Sequence, residues 1–257
     1  MIVTDQMGRE ILLSKVPERI VSLVPSQTEY LYDLGLEEQI VGQTLYCIHP
    51  EEAFRKSYKI GGTKKLNLIK IRALNPDLII ANKEENDQKQ IEELALEFPV
   101  WISDIKTLKD ALDMMQKLGD ILNKKAESAA IVNDISNQFK ILQKQKITKT
   151  ALYLIWQKPW MAAGPQTFIS EMLHFAGFNN VVTETETRYP NLFFGDMENY
   201  KPDCIFLSTE PFPFKESHVA ELQAVFPNSI VKLVDGEIFS WYGSRLKKCA
   251  DYFKTLV

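Results

Sequence analysis

The chain has 257 residues, 45% of them apolar, 25% charged and 11% aromatic. These are globular proportions that exclude a disordered chain, a collagen-like repeat or a coiled-coil rod. Thirty basic against 34 acidic side chains leave a formal charge of −4, the wrong sign for a generic binder of nucleic acid or of an anionic membrane. No run of about 18 apolar residues occurs, so no membrane-spanning helix is expected.

Short apolar runs then alternate with helical patterns. Residues 19–24, Arg19-Ile20-Val21-Ser22-Leu23-Val24, read as a buried strand rich in β-branched residues. Ser26 and Glu29 follow with the S-x-x-E spacing of a capping box. Tyr30, Leu31 and Leu34 recur at helical spacing as far as Gly35, a natural C-cap. A short strand over 39–42, an irregular loop through His49-Pro50, a turn at Gly61-Gly62-Thr63 and a helix over 68–74 come next. Then follow a strand over 77–81, a helix over 87–98 and a strand over 100–103. Alternation of this kind predicts a parallel sheet built by right-handed crossovers.

The middle of the chain is helical. Thr107 starts one helix by a side-chain cap, and a longer one follows Gly119. Between residues 124 and 146 there is neither proline nor glycine, and Ile131, Ile135, Phe139 and Leu142 form one apolar stripe. Lys140, Lys144 and Lys146 fall mostly off it and read as a solvated face. Such a segment predicts a stiff rod rather than a flexible linker.

Beyond it the first pattern returns, with a strand over 150–156, a helix opening at Gly164-Pro165-Gln166-Thr167 and ending at Ala176-Gly177, and strands over 202–207 and 229–234. Asn75-Pro76-Asp77-Leu78-Ile79-Ile80 recurs as Lys201-Pro202-Asp203-Cys204-Ile205-Phe206, a weak internal repeat. The expectation is an α/β fold of two parallel-sheet lobes bridged by a long rigid α-helix, with a ligand cleft between the lobes. Its divisions are residues 1–105, a helical linker over 106–148, and 149–257.

In open parallel sheets ligands bind beyond the carboxyl ends of the strands, and two facing lobes would bring both sets of loops to one cleft. Ser26, Gln27, Tyr46, His49, Lys64 and Asn82 fall on such loops in the first half. Trp156, Trp160, Trp241, Tyr242 and Arg245 do so in the second. The aromatic residues suit a platform for a flat ligand, or a hydrophobic contact between lobes. Trp101, inside a strand, reads as core. His49 caps a turn or serves as axial ligand to the metal of a bound chelate, and Lys64 meets an anion or is surface charge. The helix starts at Ser26-Gln27 and Gln166-Thr167 offer N–H groups to a carboxylate or phosphate.

Catalytic patterns are absent: no G-x-S-x-G, G-x-x-x-x-G-K-[ST], H-E-x-x-H or G-x-G-x-x-G occurs. His174, mid-helix, reads as buried scaffold and His218 lies on a polar stretch, so a three-histidine zinc site is not expected. Cys47, Cys204 and Cys249 are odd in number and lack C-x-x-C spacing, which argues against a disulfide framework. The first twenty residues hold Asp5, Arg9, Glu10 and Lys15 and no apolar block of a secretory signal, so either a signal was removed or the chain stays in the cytoplasm. The expected activity is binding rather than catalysis. The second reading is a cytosolic two-lobe enzyme acting on a small anionic substrate.

Several runs, in order along nearly the whole chain, resemble one family. They are residues 19–29 ending in Pro25-Ser26-Gln27-Thr28-Glu29, then Ile60-Gly61-Gly62-Thr63, then Leu74-Asn75-Pro76-Asp77-Leu78-Ile79-Ile80, and the closing Phe239-Ser240-Trp241-Tyr242-Gly243-Ser244-Arg245. They resemble the cobalamin/iron-chelate class of ABC-importer substrate-binding proteins, of helical-backbone metal receptor type, and the vitamin B12-binding members most of all. The resemblance implies two lobes on a rigid helix, a monomer, a periplasmic location and an ABC permease as partner. No intrinsic cofactor is implied. The ligand would be a corrinoid or related metal chelate, with an iron-siderophore or haem as the alternative. In that family aromatic side chains and an arginine embrace a corrinoid, and Tyr46, Trp156 and the segment 241–245 are similar to those positions. Two departures stand out. Where the family carries a permease-docking glutamate on each lobe, this chain has Ile69 and Gly195-Asp196, and tryptophans expected near Lys64 and Asn82 are missing.

Overall fold

The computed structural model describes residues 1–143 and 147–256; Lys144 and Lys146, expected on the solvated face of the central helix, lie outside the described residues. The chain divides into two compact units. The first comprises Met1–Ile105, Lys109–Ile135 and Tyr242–Arg245, the second Lys106–Leu108, Ser136–Trp241 and the residues from Leu246 on. The division therefore runs through the long helix, and the segment 242–245, expected in the C-terminal lobe, belongs with the first unit.

In the first unit, β1 (Ile2–Thr4) and β2 (Glu10–Leu12) form an antiparallel hairpin that precedes the expected elements. Strands β3 (Ile20–Ser22), β4 (Ile40–Gln43), β5 (Leu78–Asn82) and β6 (Val100–Ser103) make a parallel sheet in the order β4-β3-β5-β6. Every residue of β3 and β5 is buried, as expected where helices cover both faces of a parallel sheet. The crossovers hold α1 (Pro25–Asp33), α2 (Glu51–Lys56), α3 (Leu68–Leu74) and α4 (Gln88–Ala95). The capping box expected at Ser26 and Glu29 does not form. Pro25, with its φ preset for a helix, takes the first helical position, so Val24 is the N-cap and Ser26 lies inside the helix. The helix expected over 87–98 runs from Gln88 to Ala95, with Asp87 as its N-cap accepting from the Gln90 N–H.

Helices α5 (Leu108–Ile121) and α6 (Lys125–Leu142) follow. On α6, Ile135, Phe139 and Leu142 are buried as the stripe requires; Ile131 is half-buried, and Val132 beside it is buried instead. Phe139 meets Phe175 edge-on with ring centroids 4.8 Å apart.

The second unit is built on β7 (Lys149–Trp156), β8 (Trp160–Ala162), β9 (Phe178–Asn180), β10 (Asn191–Leu192), β11 (Cys204–Ser208) and β12 (Ile230–Val234). The order is β10-β8-β7-β11-β12, with β9 alongside β7. Strands β7, β11 and β12 are parallel, whereas β8 returns antiparallel to β7. That hairpin turns residues 156–160, expected as a plain loop, into strand ends. Leu152, Leu154, Ile205, Leu207 and Met197 centre the core, flanked by α7 (Phe168–Phe175), α8 (Phe194–Tyr200), α9 (Glu216–Val225), α10 (Gly236–Ser240) and α11 (Cys249–Phe253). Thr167 caps α7, accepting from the Ser170 N–H at 3.1 Å.

The sequence repeat is also a structural one. Asn75 ends α3 and Lys201 ends α8, each in the left-handed region at φ 43°. Two residues on, the Asp77 carboxylate accepts from the Arg19 N–H at 2.8 Å, and Asp203 accepts from the Thr150 N–H at 2.7 Å. In each unit an aspartate thus ties the start of one strand to that of its parallel neighbour. Hydrogen bonds from the Thr150 hydroxyl and N–H hold the Asp203 carboxyl below its ordinary value. A carboxyl lowered by folding adds stability above its unfolded value of about 3.9 and loses it as the pH falls further. Thermal melts between about pH 5 and pH 3 are therefore expected to show a steeper loss for the wild type than for Asp203→Asn; equal slopes would contradict this role.

Candidate functional site

The four parallel strands of the first unit end on one rim, which carries five of the expected residues: Ser26 and Gln27 in the first turn of α1 after β3, Tyr46 and His49 in the loop after β4, and Asn82 at the last position of β5. The loop after β4 is pinned from beneath. Tyr32 donates to Gln43 Oε1 at 2.6 Å, and Gln43 Nε2 donates to the Cys47 carbonyl at 2.7 Å. Thr28 donates to Cys47 Sγ at 3.1 Å. Burial pushes the Cys47 thiol up to about 11, which leaves it protonated and unreactive, an anchor and not a nucleophile. On either side of this anchor the chain turns outward. Tyr46 is 60% exposed and Ile48 40% exposed, and His49 is half-buried. Gly61, at φ +104° with backbone atoms 2.6 Å from where a Cβ would stand, turns the chain so that Gly62 lies under the Tyr46 ring.

Other residues expected on this rim are used as scaffold. Asn82 Oδ1 accepts from the Glu84 and Glu85 N–H groups at 2.8 and 3.1 Å, while its Nδ2 donates to Ser103 Oγ. Exposed Lys64 ties back to the carbonyls of Glu84 and Asn86. Gln27 is buried and donates to Ser103 Oγ, and the buried Ser26 hydroxyl finds no hydrogen-bond partner among the described residues. Tyr242 is buried and donates to Glu85 Oε1 at 3.1 Å. Arg245, expected to face a ligand, is 6% exposed and points into its own unit. Its Nε and Nη2 each reach a Glu29 carboxylate oxygen at 2.8 Å, the parallel fork that guanidinium and carboxylate geometry favours.

The second unit presents a different face. Trp156 ends β7 and Trp160 begins β8, so the hairpin itself sets both indoles at the strand ends. Trp156 is 40% exposed and meets Phe212 with centroids 5.4 Å apart. Trp160 stacks on Phe214 at 6.1 Å with an interplanar angle of 4°. Phe212 and Phe214 are 4.7 Å apart, and His218 supports both rings edge-on. Trp241, at the C-cap of α10, is buried and donates its Nε1–H to Glu210. Sequence reasoning missed the role of Phe214; its signal was the alternation Pro211-Phe212-Pro213-Phe214, which projects two rings from one loop.

Among the described residues no cluster of three or more His, Cys, Asp or Glu side chains could hold a metal ion. His218 accepts the Lys215 N–H on Nδ1 at 2.9 Å and so helps start α9. His174 is exposed rather than buried, because the last turn of α7 turns it away from the core. Beside α7 lie two open grooves of about 570 and 400 Å³ that share Ser170 and His174. Thr167, Asn180 and Glu171 on their walls already cap the helix, hold the Ala163 carbonyl and accept the Leu108 N–H.

The periplasmic binding protein family matches residues 20–228 of this chain. A vitamin B12-binding protein of Pectobacterium atrosepticum is 26% identical over 243 residues, covering 90% of this chain and 85% of that protein. Among solved structures, the periplasmic vitamin B12 binding protein of Vibrio cholerae superposes with a TM-score of 0.78 at 24% identity, covering 93% and 98% of the two chains. A periplasmic heme-binding protein from Roseiflexus sp. RS-1 gives 0.77 at 19% identity, covering 93% and 98%. The likeness to both structures is one of fold. With the matched family spanning most of both units, the chain belongs to the periplasmic binding protein family.

Proposed function

We propose that the chain is a non-catalytic binding protein for a corrinoid of cobalamin type, working outside the cytoplasm to feed an ABC permease. The observation that carries this reading is the aromatic face of the second unit: Trp156 exposed at the end of β7, backed by Phe212, Phe214 and the stacked Trp160. Flat, rigid aromatic faces suit a macrocycle, since they bury large area at little cost in conformational freedom. The relatives' vitamin B12-binding names support a corrinoid over other chelates. Tyr46 and His49 are the candidate ligand residues of the first unit, His49 as an axial ligand to a chelate's metal. Ile69, 80% exposed on α3, offers a permease no carboxylate, and Asp196 spends one oxygen on the Phe193 N–H. Docking would therefore rest on other groups than paired glutamates.

Quenching of tryptophan emission by cyanocobalamin tests the reading. Saturable quenching is expected at micromolar ligand, with Trp101, fully buried in β6, as the least responsive indole. Trp156→Ala removes an exposed indole worth roughly 1.5–3 kcal/mol on burial, so its affinity should fall by about 10- to 100-fold. Unchanged affinity would show that the ligand does not use this face.

A further inference from the structure

Glu210 follows β11 and stands two residues before Phe212 in the chain, with its carboxylate on the Trp241 indole. Pairing with β7 ends at Leu207 and Leu154, whereas pairing with β12 runs on to Ser208 and Val234, so residues 209 and 210 leave the sheet beside the start of α10. The backbone there is fixed: the Ser208 hydroxyl donates to the Glu210 carbonyl, and the Thr209 N–H donates to the Val234 carbonyl at 3.0 Å. Gly236 opens α10 against the carboxylate stem, where a Cβ would stand 2.5 Å from Glu210 Cγ.

The two carboxylate oxygens differ. Oε1 accepts from Ser240 Oγ at 2.7 Å and from Trp241 Nε1 at 2.9 Å. Oε2 forms no hydrogen bond with the described residues, yet it is not sealed off, for the side chain is only half-buried and no Glu210 oxygen is among the buried unpartnered atoms. Burial raises the Glu210 carboxyl, and Glu237 and Asp235 push it the same way, so a further negative charge placed here meets an already acidic neighbourhood. Indole and hydroxyl donors are taken by one oxygen, and the other is left as an acceptor beside a tryptophan.

We infer that Glu210 determines specificity on this face, holding the Trp241 indole with Oε1 and meeting ligand N–H or O–H donors with Oε2. The inference rests on the corrinoid reading and sharpens it. A corrin ring is fringed with amides, which supply donors for Oε2. A haem carries two carboxylates, which would face this oxygen with like charge and cannot donate once ionised. The face thus selects amide-bearing macrocycles against carboxylate-bearing ones, a discrimination made by repulsion as much as by attraction.

Two substitutions separate the roles of the two oxygens. Glu210→Gln keeps a carbonyl acceptor for Ser240 and Trp241 but loses the charge, and Glu210→Leu loses both. The readouts are the dissociation constants of cyanocobalamin and haemin, and the indole N–H resonances of ¹⁵N-labelled ligand-free protein, with Trp241 assigned through Trp241→Phe. The wild type is expected to prefer cyanocobalamin. Glu210→Gln should shift the haemin-to-cyanocobalamin affinity ratio toward haemin by about tenfold while the Trp241 resonance stays near its wild-type position. Glu210→Leu should move that resonance. An unchanged ratio in Glu210→Gln overturns the specificity role, and an unmoved resonance in Glu210→Leu overturns the positioning of Trp241. A wild type that binds neither ligand overturns the corrinoid reading and the specificity role with it, while the resonances still decide the positioning.

Discussion

Arg245→Ala is expected to destabilise the first unit by about 3–5 kcal/mol, the range found when one partner of a buried pair is removed. The side chains of Arg245 and Glu29 are only 7% and 12% exposed, so alanine would leave the Glu29 carboxylate buried beside a cavity with its fork of donors gone. More than a helix contact is lost. The pair fastens the segment 242–245 onto α1, where Gly243 lies so close that a Cβ would stand 2.7 Å from the Ser26 carbonyl. Urea unfolding followed by circular dichroism measures the loss. Arg245→Lys should not rescue it, because an ammonium cannot reproduce the two-pronged contact. The double variant Glu29→Gln, Arg245→Met should recover part of it, because no uncompensated charge remains. A cost below about 1 kcal/mol for Arg245→Ala would place this pair with weak surface ion pairs and contradict its role as a clasp.

Gly119→Ala is the second large effect. Helix propensity alone favours alanine inside α5 by up to about 1 kcal/mol. The close approach of α6 opposes it: an added Cβ would stand 2.3 Å from Ser128 Cβ and 2.6 Å from its Oγ. Ser128 cannot swing away cheaply, since it is buried and donates to the Met115 carbonyl at 3.0 Å. Overpacking of a dense interior costs about 1–3 kcal/mol, so the clash outweighs propensity and a net loss of about 1–2 kcal/mol is expected in the same unfolding assay. Adding Ser128→Gly should return most of the packing cost, a coupling that a double-mutant cycle isolates. A neutral or stabilising Gly119→Ala would mean that the two helices part easily.

Those two sites show where the sequence could be read and where it could not. Element types followed from periodicity and punctuation: the apolar runs within 19–24 and 77–81, the helix starts near Asp87 and Thr167 and the Pro-Asp repeat all correspond to local structure. Glu29 was legible only as the partner of a capping box, because its spacing from Ser26 fits that motif and its true partner lies far along the chain at Arg245. The same non-local pairing turned Arg245 from a ligand-facing cation into a structural one and carried 242–245 into the first unit. The aromatic face was partly legible, since Trp156 and Trp160 flank a turn. The stacking of Trp160 on Phe214 depends on β8 folding back antiparallel, which no local pattern announced. His174 was misplaced for a simpler reason: a mid-helix histidine among apolar neighbours reads as core, yet one turn of α7 points it outward.

Equilibrium dialysis of the purified protein against cyanocobalamin shows whether the chain holds a corrinoid without altering it. Retention of about one equivalent of cyanocobalamin is expected at micromolar concentrations, chemically unchanged when released by denaturation and weaker in Trp156→Ala. A protein compartment no richer in cyanocobalamin than the buffer, at concentrations well above micromolar, would contradict it.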